Sequence, residues 1–112
     1  SSREAMAEKV RATLSRLKPA IRDVFDLWYA HEKNLLPLSD PQFAELVSRK
    51  LAGPGTGPAS ASTERRDEFR RQMKQDLMPV LRSADFERFN FDQAWKIVEE
   101  LARLTSVKGL PL

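Results

Sequence analysis

The chain has 112 residues, of which 41% are apolar and 31% charged, the balance of a single folded domain rather than of a disordered polymer. It contains no cysteine, which excludes disulfides, thiolate nucleophiles, iron–sulfur clusters and zinc fingers, and no apolar run nears the roughly 20 residues that span a bilayer. The net charge is +3, from 19 basic and 16 acidic residues, and it is spread evenly along the chain, whereas a dedicated nucleic-acid binder gathers charge on one face.

The first periodic segment covers residues 3–17. Met6, Val10, Leu14 and Leu17 form one stripe on a helix, with Ser1 or Ser2 as its cap. Lys18-Pro19 ends it, because the residue before a proline avoids the helical region. A second helix is expected over 20–32, with Pro19 at its first turn. Its buried face is Ile21, Val24, Phe25 and Trp28, widened by Leu27 and Tyr29. A third, over 40–52, follows a Ser39 cap with Gln42 in the capping-box position and Pro41 in the first turn. Phe43, Leu46, Val47 and Leu51 face inward, and Gly53 can stop the helix in the left-handed region.

"GPGTGPASAS", residues 53–62, interrupts this rhythm. It lacks the Lys-Ser/Thr and the preceding strand of a phosphate loop, so it reads as a mobile spacer. A long helix is expected over 63–82, capped by Ser62 or Thr63, with Phe69, Met73, Leu77, Val80 and Leu81 inward. Pro79 should kink or break it, since its ring removes a hydrogen bond and excludes the Gln75 carbonyl. A short helix over 84–89 holds Phe86 and Phe89. The strongest amphipathic signal is residues 91–106, with Asn90 as cap, Gln93 at the capping-box position, and Phe91, Ala94, Trp95, Ile97, Val98, Leu101 and Ala102 inward. No strand alternation or repeat is visible. The expected fold is an all-α, compact bundle of five to six helices forming one domain over 1–112, with a flexible loop at 53–62.

The residue types that carry chemistry are sparse. His31 is the lone histidine, and "HEKNL" has Leu35 where a zinc-protease helix needs a second histidine. A Ser39–His31–Asp40 site lacks a nucleophile elbow and an oxyanion loop. The acidic pairs Asp67-Glu68 and Glu99-Glu100 are adjacent in sequence and do not face each other on a helix. No metal, cofactor or catalytic residue is therefore expected. The helix over 40–52 could imitate a DNA-recognition helix through Gln42, Glu45 and Arg49, but the connection before it is too long for a helix-turn-helix.

Two features remain. The aromatic residues Trp28, Tyr29, Phe86, Phe89 and Trp95 exceed what one bundle face readily covers and could line a groove for a partner helix or short peptide. "TERRDEFRRQMK" supplies a basic rim of Arg65, Arg66, Arg70, Arg71 and Lys74, interleaved with Glu64, Asp67 and Glu68. This helix rhythm and aromatic placement resemble those of small helical adaptor domains, harmonin-type modules among them, although no motif fixes a family. The expectation is a non-enzymatic, intracellular (cytoplasmic or nuclear) interaction module with an acidic protein partner and no membrane contact, lying within a larger protein because the chain does not start with Met. The alternative is a helical nucleic-acid binder that uses residues 65–74.

Overall fold

The computed structural model describes residues 2–53 and 57–105. These residues form six α-helices and no strand: α1 (Ser2–Ser15), α2 (Ile21–Glu32), α3 (Pro41–Leu51), α4 (Thr63–Gln72), α5 (Ser83–Arg88) and α6 (Phe91–Leu104). None of the described helices is long and apolar enough to cross a membrane. The expected all-α bundle is the fold of this chain.

The helix termini show how sequence and tertiary contacts divide the work. Three starts are local. Asp40 accepts from the Gln42 N–H at 2.9 Å, Ser62 from the Arg65 N–H at 3.2 Å, and Asn90 from the Gln93 N–H at 2.9 Å, each satisfying an otherwise orphaned donor. The cap of α3 is thus Asp40, one residue beyond the expected Ser39. The end of α2 is local too. Asn34 takes a left-handed φ of 57°, and the Leu35 N–H reaches back to the Ala30 carbonyl at 2.8 Å while the Asn34 N–H reaches His31 at 3.1 Å. This is a Schellman stop built on asparagine.

Other termini are completed from a distance. Pro19 does not enter α2, whose N-cap Ala20 offers no side-chain oxygen. Instead the buried Gln72, at the end of α4, accepts from the Ile21 N–H at 2.8 Å and donates to the Pro19 carbonyl at 2.8 Å. Helix α1 stops at Ser15, two residues short of the expected Leu17, and Leu17 is 78% exposed rather than in the core. Its terminal carbonyls are taken by the second half of the expected spacer: Ser15 accepts from the Gly57 N–H at 3.0 Å and Leu14 from the Ser60 N–H at 2.8 Å. A Cβ at Gly57 would stand 3.0 Å from the Ser15 carbonyl oxygen and 2.6 Å from Leu17 Cδ2, so glycine is what lets the two segments meet. Ala61 is buried in the core. Residues 57–62 are therefore pinned rather than a free spacer, and residues 54–56 of that expected loop lie outside the described residues.

Pro79 acts as its chemistry requires. Helix α4 ends at Gln72, opens into a π-turn over Met73–Leu77 and closes through a 3-10 turn over Met78–Val80. A proline ring cannot donate to the carbonyl four residues back, and a one-turn widening is a common way to absorb that loss. The expected kink is thus a graded unwinding spread over residues 73–80, and it exposes Val80, which the stripe had placed inward.

The core is one cluster. Val10 and Leu14 of α1, Ile21, Val24, Leu27 and Trp28 of α2, Phe43 and Val47 of α3, Phe69 and Leu77 meet α6 through Phe91, Trp95, Val98 and Leu101. Helix α3 packs chiefly on α1, and α2 on α6. Phe89 stands edge-on to Phe25 at 5.4 Å and to Trp28 at 5.2 Å, and Trp95 lies 5.9 Å from Phe69 and stacks on Phe91 at 6.2 Å. Such pairs add stability beyond the apolar area they bury.

Candidate functional site

The aromatic residues expected to line a groove separate on folding. Trp28 and Trp95 are each 5% exposed and Phe89 7%, so all three are core rather than a binding wall. The Trp28 indole N–H donates to Gln93 Oε1 at 3.1 Å, which removes the usual cost of burying that polar group. Phe86 is half-buried against the core. Tyr29 alone of the set is open to solvent, at 45% exposure.

The expected basic rim is largely consumed within the fold. Arg65 donates to the Thr13 carbonyl at 2.9 Å and to the Arg16 carbonyl at 3.1 Å, and its guanidinium lies over the Phe69 ring at 5.4 Å. It caps the end of α1, where orphaned carbonyls and the negative helix pole favour a cation. Burial lowers its pKa, and the nearby Asp23 carboxylate partly offsets this. Arg66 sits 3.4 Å from Asp67. Arg70 pairs with Asp92 and lies over Phe91 at 4.8 Å. Arg71 pairs with Glu68 at 2.6 Å. Hydrogen bonds from Arg71 and then Gln72 hold the Glu68 carboxyl below the usual carboxylate range, and the same pairing raises Arg71. Of the five, Arg65 and the exposed Lys74 form no ion pair among the described residues, and Arg65 is held by backbone carbonyls instead.

A cleft of about 620 Å³ opens elsewhere, between the outer face of α2 and the turn leading into α5. Arg22, Phe25, Asp26 and Tyr29 line one wall, and Val80, Leu81, Arg82 and Asp85 the other. Its volume falls within the roughly 300–1,000 Å³ typical of small-molecule sites. Asp26 is shared by Lys9 at 2.7 Å and Arg22 at 3.1 Å. Arg22 also lies over the Phe25 ring at 5.6 Å, and the Lys33 ammonium stands 5.4 Å from the Tyr29 ring centroid. Arg82 is exposed and, among the described residues, meets no carboxylate within the 4.0 Å of an ion pair. Of the α2 wall only Tyr29 was expected as a site residue from sequence; the signal for Arg22 and Asp26 is the helical spacing they share with it. The other wall depends on how Pro79 redirects the chain, which periodicity does not encode.

His31 sits at the end of α2 with its Nδ1 buried and lacking a hydrogen-bond partner. Among the described residues no three His, Cys, Asp or Glu side chains gather to hold a metal ion. The geometry offers cations, an open aromatic ring and two carboxylates arranged around a polar cleft.

Comparison with known proteins adds a finding that these side chains alone do not supply. Residues 1–97, which include α1 to α5 and the first half of α6, match the model of the family described as the nucleotidyl transferase AbiEii toxin of a type IV toxin–antitoxin system. Searches of curated proteins and of solved structures returned no match. The match overturns the expectation of a non-enzymatic adaptor or a stand-alone nucleic-acid-binding module, because the family it identifies is one of enzymatic toxins. The residue types that carry chemistry gave no sign of this family, whose match extends over residues 1–97 as a whole. The chain belongs to the AbiEii family of nucleotidyl transferase toxins.

Proposed function

We propose that this chain works within a nucleotidyl transferase toxin, in which a nucleoside triphosphate donates its nucleotidyl group to an acceptor and pyrophosphate leaves. The observation that carries this reading is the family match over residues 1–97. Transfer at phosphorus is driven mainly by positioning and by neutralising charge on the phosphate oxygens, commonly with divalent metal ions held by carboxylates. The described residues do not fit such a metal centre, since no three candidate ligands converge, and no metal-dependent step is assigned to them. What these residues can supply is the other half of that requirement: fixed cations and apolar surface that bind and orient an anionic, ring-bearing substrate.

The test is label transfer. The protein carrying this chain, incubated with each nucleoside triphosphate labelled at the α-phosphate and with RNA and protein acceptors, should move label to an acceptor with matching release of pyrophosphate. Failure with every nucleotide and both acceptor classes would overturn the reading.

A further inference from the structure

We infer that the cleft between α2 and the Val80–Asp85 turn is a nucleotide site, with Tyr29 as the platform for the base and Arg22 and Arg82 as the partners of the phosphates. The inference rests on the reading of the chain as part of a nucleotidyl transferase, and it adds where on this chain the nucleotide would lie.

Four observations converge. The cleft has the size of a small-molecule site, about 620 Å³. Tyr29 is the open aromatic at its edge, steadied by Phe25 at 6.0 Å, and a base can stack on such a ring whatever its identity. Arg82 has no ion-pair partner among the described residues, while Asp26 on the facing wall is already divided between Lys9 and Arg22. The cleft is thus lined by the cations Arg22 and Arg82 and by two carboxylates, the already paired Asp26 and Asp85. The two arginines come from opposite walls, so one phosphate group could engage both through charge-assisted hydrogen bonds. Asp85 would accept from a base amino group or a ribose hydroxyl. The contrast with α4 holds for Arg82, because Arg70 and Arg71 have carboxylate partners and it has none among the described residues; Arg22 would share its guanidinium between Asp26 and a phosphate.

The shared chemistry, one base with its phosphate, has two sources in such an enzyme: the free nucleoside triphosphate or the terminal nucleotide of an acceptor strand. Titration of the 112-residue chain with ATP, GTP, CTP and UTP, and separately with RNA trinucleotides, distinguishes them. NMR amide shifts should saturate and be confined to residues 22–29 and 80–85. Saturation by triphosphates alone marks a donor site, and by trinucleotides alone an acceptor site. Tyr29→Ala should weaken binding about tenfold, whereas Tyr29→Phe keeps the ring and the affinity. Arg82→Glu should weaken it by at least about tenfold. Arg70→Glu, on α4, should leave it unchanged. The substituted side chains are exposed, and circular dichroism verifies that each variant folds. If no ligand of either kind shifts the cleft amides, or if Tyr29→Ala and Arg82→Glu bind like the parent, the inference is overturned, and the label-transfer result stands apart from it. Cleft binding without label transfer would instead leave the site in place and remove the enzymatic reading.

Discussion

Two sets of arginines on this molecule look alike in composition and differ in use. Arg65, Arg66, Arg70 and Arg71 crowd into one stretch of α4, while Arg22 and Arg82 are 60 positions apart in the numbering. The crowded set is spent on the fold: one clamps the end of α1 and the others sit beside carboxylates of α4 or α6. The distant set lines a single cleft. Dense charge in sequence tends to neutralise itself on a helix, where residues three and four apart are neighbours. Arg22 keeps such a neighbour in Asp26, whereas Arg82, brought opposite it by a separate element, has none among the described residues.

Substitutions can break this comparison from both sides. The largest effect is expected at Gln72, which joins the end of α4 to the start of α2. Gln72→Leu keeps most of the volume but strands the Ile21 N–H and the Pro19 carbonyl, and should cost about 3 kcal/mol, measured by urea unfolding. Arg65→Met keeps the apolar stem and removes the clamp on Thr13 and Arg16. A loss of about 2 kcal/mol is expected, and an unchanged urea midpoint would return Arg65 to the class of surface rim residues. Gly57→Ala pushes a methyl group toward the Ser15 carbonyl and should cost about 1 kcal/mol, read as a lower thermal midpoint. Arg82→Ala, by contrast, should stay within about 0.5 kcal/mol of the parent. A large loss there would show that the cleft arginine is structural after all.

The smallest effect concerns pH. The Glu68 carboxyl is held below its ordinary value of 4.5 by Arg71 first and Gln72 second. A carboxyl lowered in the folded state contributes stability that is fully present above its unfolded pKa and is lost as pH falls through the folded one. Glu68→Gln should therefore leave a slightly shallower decline in thermal midpoint below pH 4.5. The pair is solvent-exposed, so added salt should shrink the difference. A difference that survives high salt would place the pair in a less screened setting than its exposure indicates.

The helical starts at Asn90 and Ser62 and the inward face of α6 were legible because each depends on residues within one or two turns. Caps and stripes are local physics. The end of α1, the start of α2 and the order in residues 57–62 were not legible, since their partners lie 42 to 53 positions away: Ser15 with Gly57, Ile21 with Gln72, Thr13 with Arg65, Pro19 with Gln72. The expected aromatic groove failed for a related reason. Periodicity shows that a ring faces inward, but it does not show whether neighbouring elements close over it, as Phe25, Phe89 and Gln93 close over Trp28.

By itself, then, the sequence determined an all-helical chain, the caps that start α4 and α6, and most of the residues that turn from water. Those properties follow from spacing and from the chemistry of near neighbours. Only the tertiary structure decided which arginine holds a helix end and which lines a cleft, which aromatic ring stays open, and how Pro79 steers the chain so that Arg82 comes opposite Arg22. These depend on distances between segments remote in sequence, and hydrophobic burial, which brings those segments together, acts on area without direction.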